Sequence, residues 1–125
     1  MITGFENETA PLNETEQTAA RIISECLQLH HVGSHKAVTG QYIANSLAKF
    51  SEVFRDAKGR PYLNGARVRK IVNFIRTTGQ CPRLIASSKG YYVSNDRREI
   101  TEYITGLRAR AQAIEAVAKA METTI

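Results

Sequence analysis

The sequence predicts a mainly α-helical fold with one small β-hairpin and a long carboxy-terminal helix. Three patterns predict it. Apolar residues recur at three- and four-residue steps in three separate stretches. The segment "LIASSKGYYVS" alternates apolar residues around Ser-Ser-Lys-Gly, as two short strands and their turn require. Ile100, Leu107, Ile114 and Met121 then repeat every seven residues, a period suited to a helix that packs lengthwise on another.

The chain of 125 residues suits one domain with a modest core and needs no disulfide or metal to hold it. Its 42% apolar and 23% charged content is that of an ordinary soluble protein. No apolar run approaches the ~20 residues that span a bilayer, and the acidic, polar start "MITGFENETAPLNETEQ" reads as neither signal nor transit peptide. Cys26 and Cys81 form no disulfide framework and no zinc spacing, so the expected location is the cytoplasm.

Residues 1–13 lack periodicity, contain Pro11 and are expected to be a flexible tail. A first helix is expected from Glu14 to about His30, with Asn13 as its N-cap, Glu14 and Glu16 at its positive end, and Ala19, Ile22, Ile23, Cys26 and Leu27 inward. Thr39 caps a second helix, with Val38 and Ile43 at the positions of a hydrophobic staple. Ile43, Leu47 and Phe50 share its inner face, and Phe54 extends that stripe if the helix runs on. "RDAKGRPY" is a basic loop punctuated by Gly59 and Pro61.

The third helix, "NGARVRKIVNFIRTTG", has Asn64 as its cap and Gly79 as its left-handed end. Val68, Ile71, Val72 and Ile75 form its core stripe. The helical wheel puts Arg69, Lys70, Asn73 and Thr77 opposite that stripe, with Arg67 and Arg76 on its flanks. The strands are expected at Arg83–Ser87 and Tyr91–Ser94 around a Ser88-Lys89-Gly90 loop. Leu84 points inward with Tyr91 or Val93, and Tyr92 points outward or lies at the edge. Asp96 to Glu99 has capping-box spacing and starts the last helix.

Charge is distributed unevenly. Residues 1–27 carry a net −4, residues 28–98 a net +10 and residues 99–125 a net −1. A basic block of this kind suits a polyanionic partner. The outer side of the third helix holds cations and an amide without a carboxylate, whereas a merely solvated helix usually mixes both signs.

Helix, helix, basic helix, hairpin, helix is the order of a winged helix-turn-helix, whose third helix enters the major groove with the hairpin beside it. Arg67, Arg69, Lys70 and Arg76 are therefore expected at the duplex. Arginine can grip guanine and Asn73 adenine in a bidentate way. Lys89 is expected on a phosphate, with Gly90 allowing the reversal that projects it. Thr39 and Gln41, at the amino end of the second helix, are placed to hold another phosphate.

"VRKIVNFIR", "LIASSKGYYVS" and the trailing helix, with "VTGQYIANSL" upstream, resemble small phage and prophage proteins with winged-helix DNA-binding domains over roughly residues 37–118. The resemblance implies a winged-helix domain over 14–95 followed by an amphipathic helix over 96–125. It implies a phage or mobile-element regulator or an origin-binding factor, associated with the nucleoid when bound. The link "AKFSEVFRDAKGRPYLNG" is longer than such proteins carry, and adds Lys58 and Arg60 as candidate backbone contacts.

His30, His31 and His35 sit near Cys26, but Gly33 breaks the helix that would align them, so no metal site is expected. No nucleophile motif, glycine-rich phosphate loop or catalytic carboxylate pair is present, so the chain reads as a non-enzyme without cofactor. The last helix is expected to form a homodimer or to pack back on its own domain, and its seven-residue repeat favours the dimer. The alternative function is a winged helix serving as a protein-protein module in a replication or packaging assembly.

Overall fold

The computed structural model describes residues 11–125. Its elements run α1 (Glu14–His30), a 3-10 turn (Ser34–Lys36), α2 (Gly40–Phe50), a 3-10 turn (Glu52–Phe54), α3 (Gly65–Thr78), β1 (Leu84–Ser87), β2 (Gly90–Val93) and α4 (Arg97–Glu122). The fold is mainly helical, with one two-stranded antiparallel hairpin and a long last helix, as the sequence predicts. Among the described residues no helix is long and apolar enough to cross a membrane. Residues 1–10 of the expected tail lie outside the described residues, and Leu12 packs half-buried against the core.

Each helix starts at a residue whose side chain takes over an amide that the first turn leaves unpaired. Asn13 accepts from the Glu16 amide at 2.8 Å, and Glu16 accepts from the Asn13 amide at 3.0 Å, closing a capping box. Thr39 accepts from the Tyr42 amide at 3.1 Å and Asn64 from the Arg67 amide at 2.9 Å. Gly79 ends α3 at φ 71°, in the left-handed region that glycine enters without a Cβ penalty.

The core lies where α3 packs on both α1 and α2. Val68, Ile71, Val72 and Ile75 are buried there against Ala19, Ala20, Ile23 and Leu27 of α1 and Ile43, Ala44 and Leu47 of α2. Full burial of each large apolar side chain contributes about 1.5–3 kcal/mol. The α2 stripe ends earlier than its sequence suggests. Phe50, its last residue, is exposed; Ser51 then turns extended and a 3-10 turn follows, which carries Phe54 into the core. Residues 55–62 form a closed turn rather than an open basic loop. Asp56 accepts from the Lys58 and Arg60 amides, each at 2.9 Å, and from Arg60 Nε at 3.1 Å.

The hairpin pairs Leu84 with Val93, Ile85 with Tyr92, Ala86 with Tyr91 and Ser87 with Gly90. Its turn is therefore Ser88-Lys89 alone, and Gly90 belongs to β2. Leu84, Val93 and the half-buried Tyr91 face the core. Contrary to the expected outward placement, Tyr92 is buried. The start of α4 covers that second face, and the Tyr92 hydroxyl donates to Glu99 Oε2 at 3.1 Å. Burial, and then the Glu99 carboxylate, raise the Tyr92 hydroxyl above its usual pKa. The Asp96–Glu99 box is only half formed. Asp96 accepts from the Arg98 amide, but Glu99 takes the Tyr92 and Ser94 hydroxyls and leaves the Asp96 amide to Ser94 Oγ.

The last helix leaves the domain after its first turns. Ile100, Tyr103 and Leu107 are half-buried, and every residue from Arg108 onward is exposed.

Candidate nucleic-acid interface

The four apolar anchors of α3 fix which side of the helix faces solvent. Arg69, Asn73 and Thr77 lie on that side and are exposed. The Asn73 amide makes no hydrogen bond among the described residues, while Arg69 is engaged by a group elsewhere in the chain.

Lys70 departs from its expected place. It is 9% exposed, and its ammonium donates to Glu16 Oε1 at 3.1 Å. The wheel considered α3 alone, whereas the first turn of α1 reaches over this flank and brings a buried carboxylate with it. Lys70 is therefore part of the interior rather than of the outer basic face.

The two flanking arginines are held by tyrosines. Arg67 Nη1 donates to the Tyr62 hydroxyl at 2.9 Å, with its guanidinium 4.8 Å from that ring's centre. Arg76 Nη2 donates to the Tyr103 hydroxyl at 2.7 Å, with its guanidinium 5.6 Å from that ring's centre, which ties α3 to α4. Both have donors to spare, because a guanidinium carries five N–H groups. Arg76 leaves α3 on the same flank as Arg69, seven residues on, but its guanidinium is held on Tyr103 of α4.

The amino end of α2, the first half of α3 and the start of β2 meet in one tight cluster. Val38 pairs with Tyr91 through both backbone bonds, at 3.0 and 2.7 Å, and so adds a single-residue third strand to the hairpin edge. A Cβ on Gly90 would lie 2.2 Å from the Val38 carbonyl oxygen. A Cβ on Gly40 would lie 3.4 Å from the Val68 side chain and 3.9 Å from the Tyr91 ring. Small residues here let three backbones approach. Thr39 and Gln41 lie at the start of α2, Arg69 and Asn73 on α3, and Lys89 in the turn just before Gly90.

No protein-family model, curated protein or solved structure matches this chain.

Of the residues expected at a duplex, Thr39, Gln41, Arg69, Asn73 and Lys89 are exposed. Lys89 makes no side-chain hydrogen bond or ion pair among the described residues; its amide donates to Ser87 Oγ at 3.2 Å. The Thr39 hydroxyl is used as the cap of α2, and Gln41 Nε2 donates to Asn45 Oδ1 at 3.0 Å. Gly90 is half-buried and serves the packing on Val38 rather than an exposed tip. Lys58 is exposed, whereas Arg60 is paired with Asp56 at 3.1 Å.

Sequence reasoning missed three partners: Glu16, Tyr62 and Tyr103. The spacing of Asn13 and Glu16 signals the capping box. Nothing local joins Glu16 to Lys70 or Tyr103 to Arg76, because those pairs come from different helices.

Proposed function

We propose that the chain binds double-stranded DNA as a winged helix-turn-helix, with α3 as recognition helix and the β1–β2 hairpin as wing, in the service of a phage or mobile-element regulator or an origin-binding factor. The observation that carries this reading is the close packing of Gly90 on Val38 and of Gly40 on Val68 and Tyr91. It brings the amino end of α2 and the hairpin against the first half of α3, the helix whose exposed Arg69 and Asn73 this reading uses, while Lys89 in the hairpin turn has no ion-pair partner among the described residues. Arg69 and Asn73 are suited to base edges, and Lys89 and the α2 start to phosphates.

Titration of duplex DNA at several salt concentrations tests the reading. Affinity should fall with salt at a log-log slope of about −0.9 per neutralised phosphate. Lys89→Ala should lower that slope by about one unit of charge across all sequences. Asn73→Ala should instead relax preference at one base position, at a cost of about 1–3 kcal/mol on the preferred site. Wild-type binding no tighter than that of an Arg69→Ala, Lys89→Ala double variant at low salt refutes DNA binding.

That refutation would favour the second reading, a protein-protein module in a replication or packaging assembly. Specific observations support it too. Lys70 is neutralised internally, Arg76 is tied to Tyr103, and Phe50, Val53 and the outer half of α4 expose apolar side chains.

A further inference from the structure

We infer that α4 pairs with the α4 of a second copy, antiparallel, in a register that sets Ile104 opposite Met121, Leu107 opposite Ala118 and Ala111 opposite Ile114. The pairing itself does not depend on DNA binding.

The surface that calls for it is plain in the fold. Ile104, Ile114, Val117 and Met121 are 41%, 65%, 59% and 64% exposed. Such a row of large apolar side chains along one helix is a surface that a partner covers. The helix runs unbroken from Arg97 to Glu122, so its outer half cannot turn back onto α1. The stripe advances by alternating steps of three and four residues, which is the seam of a two-helix coiled coil.

Side-chain size selects the direction. A parallel, in-register pair would stack Ala111 on Ala111 and Ala118 on Ala118, leaving two thin layers between bulky ones. The antiparallel register sets each alanine against a large residue, so the four inner layers match in volume and Ile104 on Met121 closes each end, as close packing favours.

Charge selects the same register. Beside the seam, Arg108 of one copy meets Glu115 of the other, and the two-fold symmetry forms this pair twice. Both residues are exposed and have no ion-pair partner among the described residues. A parallel pair would instead bring Arg110 to Glu115, which makes the two arrangements separable by mutation.

One consequence rests on the DNA-binding reading. Tyr103, which anchors α4 to α3, would sit level with Glu122 of the other copy. The two anchors are then roughly 28 Å apart along the axis at 1.5 Å per residue. That is on the scale of the ~34 Å between successive major-groove faces, and the two-fold axis calls for a palindromic site.

Sedimentation equilibrium of the full chain without DNA tests the pairing. The wild type should be a dimer at micromolar concentration, and Ile114→Glu a monomer with unchanged circular dichroism from the domain. Arg108→Glu should raise the dimer dissociation constant on the order of tenfold by setting two like-charged pairs together. Adding Glu115→Arg to it should restore the wild-type value. Arg110→Glu should leave the constant within about twofold of wild type, since screened surface charges away from a partner contribute little. A monomeric wild type overturns the inference. So does a dimer weakened by Arg110→Glu and indifferent to Arg108→Glu. Neither result alters the salt slope on DNA, so failure here and failure of DNA binding are told apart.

Discussion

Lys70 of α3 and Glu16 of α1 meet at 3.1 Å with side chains only 10% and 2% exposed, and the same Glu16 oxygen also accepts the Asn13 amide. One carboxylate thus closes the cap of α1 and neutralises a cation on the helix packed against it. Removing either partner leaves a buried charge alone, which costs about 3–5 kcal/mol, whereas replacing both with neutral groups of similar volume is nearly neutral. Lys70→Met should therefore lower the urea midpoint far more than the double change Glu16→Gln, Lys70→Met. Its effect on DNA affinity, measured where the variant is folded, should be small beside that of Lys89→Ala.

Gly90 is fixed by its neighbour rather than by its turn. Its φ of 119° and the 2.2 Å between an added Cβ and the Val38 carbonyl oxygen leave no room for alanine. The obstacle is backbone, held by two hydrogen bonds between Val38 and Tyr91. Gly90→Ala should destabilise the domain by roughly 2–4 kcal/mol, in the range of the severe single substitutions. Thermal unfolding checks it, and a melting temperature equal to wild type would contradict the packing described.

What the sequence made legible was local. Asn13, Thr39, Asn64 and Gly79 are helix signals that act within four residues, and all four end or start helices where expected. The α3 core stripe was legible because four apolar residues share one side of the helix. Lys70 and Tyr92 were misplaced for a common reason. Each lies on the side opposite its own element's core stripe, and a second helix, α1 or α4, comes from far along the chain to cover it. Periodicity describes one element against one core and is silent about a second covering layer. The Phe50–Phe54 exchange is different: Phe50 keeps its helical place and stays exposed, and Ser51 with a 3-10 turn redirects the chain so that Phe54 enters the core instead.

The two cysteines should behave oppositely. Cys26 is exposed and Cys81 is buried. Burial is the main cause that raises the Cys81 thiol above its ordinary pKa, opposed by the nearby Arg83. The thiolate is the reactive form, so a maleimide probe should label Cys26 rapidly and Cys81 only after unfolding. Linkage gives a second readout. Below the unfolded thiol pKa of about 8.5 both states hold the proton and stability is intact. As pH rises above it the unfolded state loses the proton first, so stability falls until the raised folded value is passed. Cys81→Ala should flatten that first decline. A later one, beginning near pH 10 where unfolded tyrosine ionises, should persist through Tyr92.

Gly106 sits in the middle of α4 with nothing within 4 Å of an added Cβ and no positive φ to preserve. Glycine in a helix interior is about 0.8–1 kcal/mol less favourable than alanine, because it leaves more backbone freedom to lose. Gly106→Ala should therefore increase helicity at 222 nm and slow amide exchange across residues 104–110. Position 106 lies off the Ile104–Leu107–Ala111 seam, so the new methyl adds no contact between copies. Any tightening of self-association then comes from a helix already ordered before it pairs, and should stay within about 30-fold, the factor for that propensity difference counted once in each of two copies. Reduced helicity in this variant would mean that the glycine has a close neighbour that the monomeric fold does not supply.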